Sequence, residues 1–248
     1  MKEKYLVQTD DGMSLILPAG FTVEDLRFTA EVQLVQEEQA GIVSIRGRQE
    51  AKEPFFGRQD HLDARTGVPC TMQIAGAEKI TAIYQHKDWW IRPAFPGSLA
   101  EIPRRTQLLL LKGRENCMAV LAVCGREYRT DLSGLESGVC ITTASNCSSK
   151  NELNDICLSY AWGRDPYQCC EKAVSCVLER TGRTAMLRRN RRYPAVFEKL
   201  GWCSWDAFYQ KVSAEGIYDK LTELQEKQVP VKWALIDDGW LDADYDRQ

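Results

Sequence analysis

Val231-Lys232-Trp233-Ala234-Leu235-Ile236-Asp237-Asp238-Gly239-Trp240 is a short, nearly unbroken apolar run that stops at two carboxylates. Following Pro230, a run this short reads as a strand buried on both faces rather than as a helix. Upstream, Leu200-Gly201-Trp202-Cys203-Ser204-Trp205 is a second strand candidate. Between them Ser213 stands as a helix cap ahead of Ile217, Leu221 and Leu224 at helical spacing, and the helix is expected to stop near Gln228. Strand, helix, strand at this spacing predicts a βαβ unit with parallel strands and a right-handed crossover.

In parallel α/β architectures the ligand lies at the carboxyl ends of the strands. Those ends carry Trp205 in the first strand and Asp237, Asp238 and Trp240 in the second. Ionised carboxylates only accept hydrogen bonds and so suit the hydroxyl donors of a sugar. Tryptophan offers a flat apolar face for a pyranose ring and one N–H donor. Neighbouring residues on a strand point to opposite sides, so both acids reach one ligand only where the chain turns, which Gly239 permits. A plainer reading fits the same residues, namely an acid pair capping a helix and tryptophans in a core. Asp206 reads as a loop cap and Cys203 as an inward packing residue.

Ahead of this segment the pattern is different. Short β-like runs recur at 14–17, 30–35, 42–45, 79–84, 106–111, 119–123, 139–142 and 156–160, several of them alternating apolar and polar with period two. Such runs without helices between them predict an antiparallel β-sandwich. Asp165-Pro166 opens a helix and Gly182 closes it, with Tyr167, Cys170, Val174, Val177 and Leu178 as its apolar stripe. The expected organisation is a mainly β domain over 1–195, whose 165–195 part is a helical linker, then a βαβ unit over 196–248.

The chain has 248 residues and a formal net charge of −3, which gives no pull toward nucleic acid or an anionic membrane. The cluster Arg183, Arg188, Arg189, Arg191 and Arg192 reads as a solvated linker. The start has no apolar signal core, and no run approaches the ~18 apolar residues of a membrane helix. Ten cysteines without a Cys-x-x-Cys spacing read as free, mostly buried thiols of a cytoplasmic protein. Two histidines, His61 and His86, leave little for a zinc site or a Ser-His-Asp engine. No metal or cofactor is expected.

The stretches 200–209, Glu215-Gly216 and 236–240 closely resemble glycoside hydrolase family 36, in the branch of raffinose synthases, seed imbibition proteins and alkaline α-galactosidases. The stretch 191–194 also resembles that branch, within the specific part at 186–240, and the stretches 89–95 and 101–107 of the N-terminal portion resemble it more loosely. The resemblance implies an N-terminal β-supersandwich followed by a catalytic (β/α)8 TIM barrel, of which this chain carries the truncated start. It implies Trp205 against the galactose ring, Asp237 and Asp238 on its hydroxyls, and Trp240 walling the pocket. It also implies a retaining mechanism with two aspartates whose carboxyls stand ~5 Å apart. The family's nucleophile ends the fourth strand in a Lys-x-Asp context and its acid/base follows the sixth. A whole barrel takes about 250 residues, so neither strand is expected in this chain and no residue of it is expected to be catalytic.

The expected partner is an α-galactoside oligosaccharide of the raffinose type, hydrolysed once the rest of the barrel is present. The alternatives are a raffinose-synthase-type galactosyltransferase and a non-catalytic carbohydrate-binding β module. The purified 248-residue chain is expected to release no aryl alcohol from an aryl α-galactoside. Turnover that survives repurification would mean that the catalytic strands are wrongly assigned.

Overall fold

The runs between residues 4 and 163 form strands in the computed structural model, which describes residues 3–50, 67–87, 89–125, 127–145 and 152–241. His61, Cys147 and the 242–248 end of the expected second domain lie outside the described residues. The strands are β1 (Lys4–Gln8), β2 (Ser14–Pro18), β3 (Gly20–Val23), β4 (Phe28–Glu37), β5 (Ala40–Gln49), β6 (Val68–Ala75), β7 (Lys79–Lys87), β8 (Trp90–Ala94), β9 (Thr106–Lys112), β10 (Cys117–Ala122), β11 (Arg129–Leu135), β12 (Gly138–Ala144) and β13 (Glu152–Gly163). The chain divides into two compact units, Met1–Leu187 and Arg188–Gln248, against an expected division after residue 195.

Among the described residues these strands join into one 13-stranded ladder in the order β1-β2-β6-β12-β11-β9-β10-β13-β5-β4-β3, with β7 pairing β9 and β8. Every pairing in it is antiparallel. β2 stands near one end of this order and β3 at the other, yet Ala19 alone separates them in sequence. Consecutive Cα atoms are 3.8 Å apart, so the sheet has to curl until its ends meet. The junction is hydrogen-bonded: Ala19 N–H donates to the Glu3 carbonyl and Val32 N–H donates to the Ala19 carbonyl, both at 2.9 Å. The mainly β supersandwich is thus built from one continuous, curled sheet.

The inner face encloses one core in which Leu15, Leu17, Phe28, Ile45, Met72, Leu109, Leu111, Met118, Leu132 and Tyr160 are fully buried. β6 alternates buried and exposed positions along its whole length, as a strand with one wet face does. β10 and the end of β13 do not alternate, because their outer face lies under a helix, α1 (Pro166–Arg180). Met118 and Val120 face the core while Cys117 and Ala119 face α1.

α1 starts as its sequence requires. The Asp165 carboxylate accepts from the N–H groups of Tyr167 (2.8 Å) and Gln168 (3.3 Å), and Pro166 fills the first helical position. It ends in a Schellman motif: Gly182, at φ +68°, donates to Glu179 O (3.1 Å) and Arg183 N–H donates to Leu178 O (2.7 Å). The face it buries shares Val177 with the expected stripe but is otherwise shifted from it. Tyr167 is 84% exposed, whereas Cys169, Ala173 and Val177 are buried. The sheet beneath offers Cys117, Ala119 and Ala161, so only small side chains let the helix approach closely. The Ser159 hydroxyl reaches the Ala173 carbonyl at 2.7 Å in that seam.

Cys70, Cys117, Cys157 and Cys169 are buried free thiols, and Cys140, Cys170 and Cys176 are half-buried. Burial pushes the Cys70 thiol up to about 12 and the Cys169 thiol up to about 11, which leaves them protonated and unreactive at neutral pH. Cys124 and Cys203 are exposed. The 101–107 stretch ties strands together: Arg105 donates from Nη2 to the His86 carbonyl (3.1 Å), and Gln107 donates from Nε2 to the buried Asp131 carboxylate (2.5 Å). On β8 and just outside it, Trp89, Trp90, Ile91 and Phe95 are exposed, with Lys87 Nζ 5.2 Å above the Trp90 ring.

Asp11, in the β1–β2 turn, joins segments far apart in sequence. Its carboxylate accepts from Asn116 N–H (2.9 Å), the Asn116 side-chain amide (3.0 Å) and Glu115 N–H (2.8 Å) in the β9–β10 connection, and from the Thr9 hydroxyl. These bonds, led by that of the Asn116 backbone, hold the carboxyl well below the usual range. A depressed carboxyl contributes stability that is present above its unfolded value, about pH 4, and is lost as pH falls below that. Asp11→Asn is expected to cost about 1 kcal/mol at pH 7, solvent screening keeping the figure small, and to flatten the acid limb of stability. Denaturant midpoints measured from pH 7 down to about pH 2 check this, and an unchanged acid limb would refute it.

Candidate functional site

The second unit is built on two three-residue strands, β14 (Gly201–Cys203) and β15 (Trp233–Leu235), paired in parallel as Gly201 with Trp233, Trp202 with Ala234 and Cys203 with Leu235. Gly201 is required there, since a Cβ would lie 2.1 Å from the Trp233 indole. That indole donates from Nε1 to the Lys199 carbonyl (3.1 Å) and meets Phe197 edge-on. Two helices follow β14: α2 (Trp205–Phe208) and α3 (Ala214–Glu226). The Ser213 hydroxyl caps α3 by accepting from Gly216 N–H at 3.1 Å. Past its end Gln228 adopts φ 55°, and Val229 N–H closes on Leu224 O at 2.9 Å. Within the stripe Ile217 and Leu224 are half-buried and Leu221 is 37% exposed.

The carboxyl ends of the two strands meet at Ser204, which is fully buried. Its N–H donates to Leu235 O (3.0 Å), and its Oγ accepts from Asp237 N–H (2.9 Å). Its carbonyl accepts from Ala207 and Phe208, which starts α2. One buried serine thus registers the two strand ends and the turn between strand and helix.

β15 stops two residues before Asp237, so strand alternation no longer separates the two acids. Asp237 Oδ1 accepts from Asp238 N–H (2.7 Å), and its Oδ2 accepts from the Cys203 thiol (3.3 Å). Asp238 Oδ1 accepts from Gly239 N–H (2.8 Å), and its Oδ2 accepts from the Gln210 side-chain amide (2.9 Å). Gly239 makes the turn at φ +100°, where a Cβ would come within 2.3 Å of the Gln210 carbonyl oxygen. Asp237 is half-buried and Asp238 exposed. An ionised carboxyl has about four acceptor positions, so these bonds leave Asp237 capacity for further donors.

The structure therefore brings Asp237 and Asp238 together with Cys203, Ser204 and Gln210. Trp205 directly follows Ser204, is 37% exposed and meets Tyr209 edge-on at 5.5 Å. Trp240, next after Gly239, is 66% exposed. Cys203, expected to pack inward, is instead exposed with its thiol turned to Asp237, because the strand ends at that residue and the chain turns into α2. Asp206 lies exposed in the first turn of α2. Ser204 and Gln210 were not evident from the sequence. A hydroxyl residue between a strand and a helix signals a turn, but nothing in the sequence marks Gln210.

A short parallel βαβ unit with acids at its strand ends, preceded by an antiparallel β unit, defines the class, and comparison with known proteins gives the family. Residues 50–248 match the family described as raffinose synthase or seed imbibition protein Sip1, and the chain belongs to that family. A galactinol–sucrose galactosyltransferase of Pisum sativum is 30% identical over 175 residues, covering 68% of this chain and 22% of that protein. A stachyose synthase of Pisum sativum is 25% identical over 169 residues, covering 66% of this chain and 20% of that protein. The chain thus spans about a fifth of the length of these curated relatives. Among solved structures, the galactosidase domain of an α-galactosidase–sucrose kinase superposes with a TM-score of 0.43 at 11% identity, over 96% of this chain and 35% of that one.

Ser204→Ala is expected to strip the Asp237 amide of its acceptor, at a cost of about 1–2 kcal/mol in this unit. Amide hydrogen exchange at Asp237 should then quicken well beyond that of the α1 amides. Equal protection in parent and variant would show that Ser204 does not hold the strand ends.

Proposed function

We propose that this chain supplies the galactose-recognition wall of an enzyme acting on α-galactosides of the raffinose type. The observation that carries the reading is the pair Asp237 and Asp238, held side by side at parallel strand ends by fixed donors. Charge-assisted bonds from sugar hydroxyls to such groups contribute about 1.5–3 kcal/mol each. Trp205, directly after Ser204, and Trp240, directly after Gly239, supply apolar faces for the ring.

In this reading the two acids bind and do not react. Each of their four oxygens already accepts a bond from a fixed donor, which dampens nucleophilicity and suits a rigid acceptor. The reacting carboxylates of a retaining mechanism belong to other strands of the barrel. Water as the final acceptor makes the enzyme a hydrolase. The names of the pea relatives favour a second reading, in which a sugar takes that place and the enzyme is a galactosyltransferase.

The test uses the product of the complete open reading frame with an aryl α-galactoside, with and without sucrose. Free galactose in step with the aryl alcohol means hydrolysis, and a galactosylated sucrose means transfer. Release of neither would sink the enzyme reading. Asp237→Asn and Asp238→Asn are each expected to raise KM roughly tenfold or more, and Trp205→Ala to weaken binding as well. Strong rescue of Asp237→Gly or Asp238→Gly by azide would instead make that residue the nucleophile.

A further inference from the structure

Asp237 and Asp238 are held by different parts of the chain. Asp237 is tied to the end of β14, through the Cys203 thiol and the Ser204 hydroxyl. Asp238 is tied to the loop after α2, through Gln210. An exposed glutamine side chain ordinarily samples several rotamers, and fixing it costs entropy. Gln210 is nevertheless engaged at two points on one turn. Its side-chain amide reaches Asp238 Oδ2 at 2.9 Å, and its main-chain carbonyl oxygen lies beneath Gly239 where no Cβ would fit. Tyr209, just before it, takes φ 51° and ψ −130°, a conformation that non-glycine residues keep only where the surroundings impose it.

We infer that Gln210 is a positioning residue that aims the Asp238 carboxylate at the sugar, so that the loop after α2 is a determinant of affinity in its own right. The inference rests on Asp238 being a hydroxyl acceptor. A neutral amide is the donor this task needs. It occupies one acceptor position of Oδ2, fixes the plane of the carboxyl group and leaves its charge intact for the ligand. A lysine at 210 would compete with the sugar for that charge, and a carboxylate would repel Asp238 or share a proton with it.

The experiment titrates galactose into the product of the complete open reading frame, following tryptophan fluorescence, for the parent, Gln210→Ala, Gln210→Glu, Asp238→Asn and the Gln210→Ala/Asp238→Asn pair. Gln210→Ala is expected to weaken binding roughly tenfold, since small misplacements of an orienting group cost this much or more. In the Asp238→Asn background the same change is expected to cost nothing further, because Gln210 acts through Asp238. Gln210→Glu is expected to bind nearly as the parent does at about pH 5, where the two carboxyls share a proton, and to weaken toward about pH 8, where both are ionised. The neighbouring titratable groups Asp237 and Cys203 are common to parent and variant, so the difference between the two pH profiles belongs to residue 210. A structural role alone would not produce that profile, and it decides the matter should Gln210→Ala fail to fold. Unchanged affinity in Gln210→Ala, an equal loss in the Asp238→Asn background, or a Gln210→Glu profile parallel to the parent's would overturn the inference while leaving the sugar site standing. Failure of the parent to bind galactose would overturn the sugar site, and the inference with it.

Discussion

At Ala19 two main-chain hydrogen bonds hold together the ends of a ladder that runs through the whole first unit. A flat sheet of this many strands would leave its apolar face in water. The one-residue step from β2 to β3 forbids flatness, because it places near-terminal strands of the order within a single peptide of each other. Closure turns the buried positions of β1, β2, β4, β5, β6, β9, β10, β11, β12 and β13 toward one core. The hydrophobic effect supplies the driving force without direction, and the backbone junction supplies the direction.

The curled sheet also sets what α1 looks like. Outside the curl, β10 and β13 present the small side chains Cys117, Ala119, Ser159 and Ala161, with Leu108, Leu110 and Leu121 packed around them. A helix lying on it approaches closely only through small residues of its own, and Cys169 and Ala173 meet that condition. In these seams cysteine serves as a small hydrophobe, and desolvation raises its thiol above the usual range.

In the second unit a single buried hydroxyl plays the comparable part. Ser204 registers β14 against β15 and at the same time fixes the amide of Asp237. The acid pair then receives one donor from each of two preceding segments, a thiol from the strand end and an amide from the loop after α2. Carboxylates gripped in this way are acceptors held in place before any further donor arrives.

Local rules were enough to mark most strands, the Asp165 and Gly182 ends of α1, the Ser213 start of α3 and the parallel pairing of β14 with β15, because each depends on alternation, capping or run length within a few residues. The position of the acid pair was legible for the same reason, as it sits where an apolar run ends. The sequence could not say that β10 and β13 are covered on both faces, that α1 buries Cys169 and Ala173 in place of Tyr167 and Val174, or that Cys203 turns outward to Asp237. Nor could it mark Gln210, whose partner is 28 residues away in sequence. Those outcomes depend on which surfaces the closed sheet and the turn at Ser204 bring into range, and distance in space between remote segments is decided by the tertiary fold.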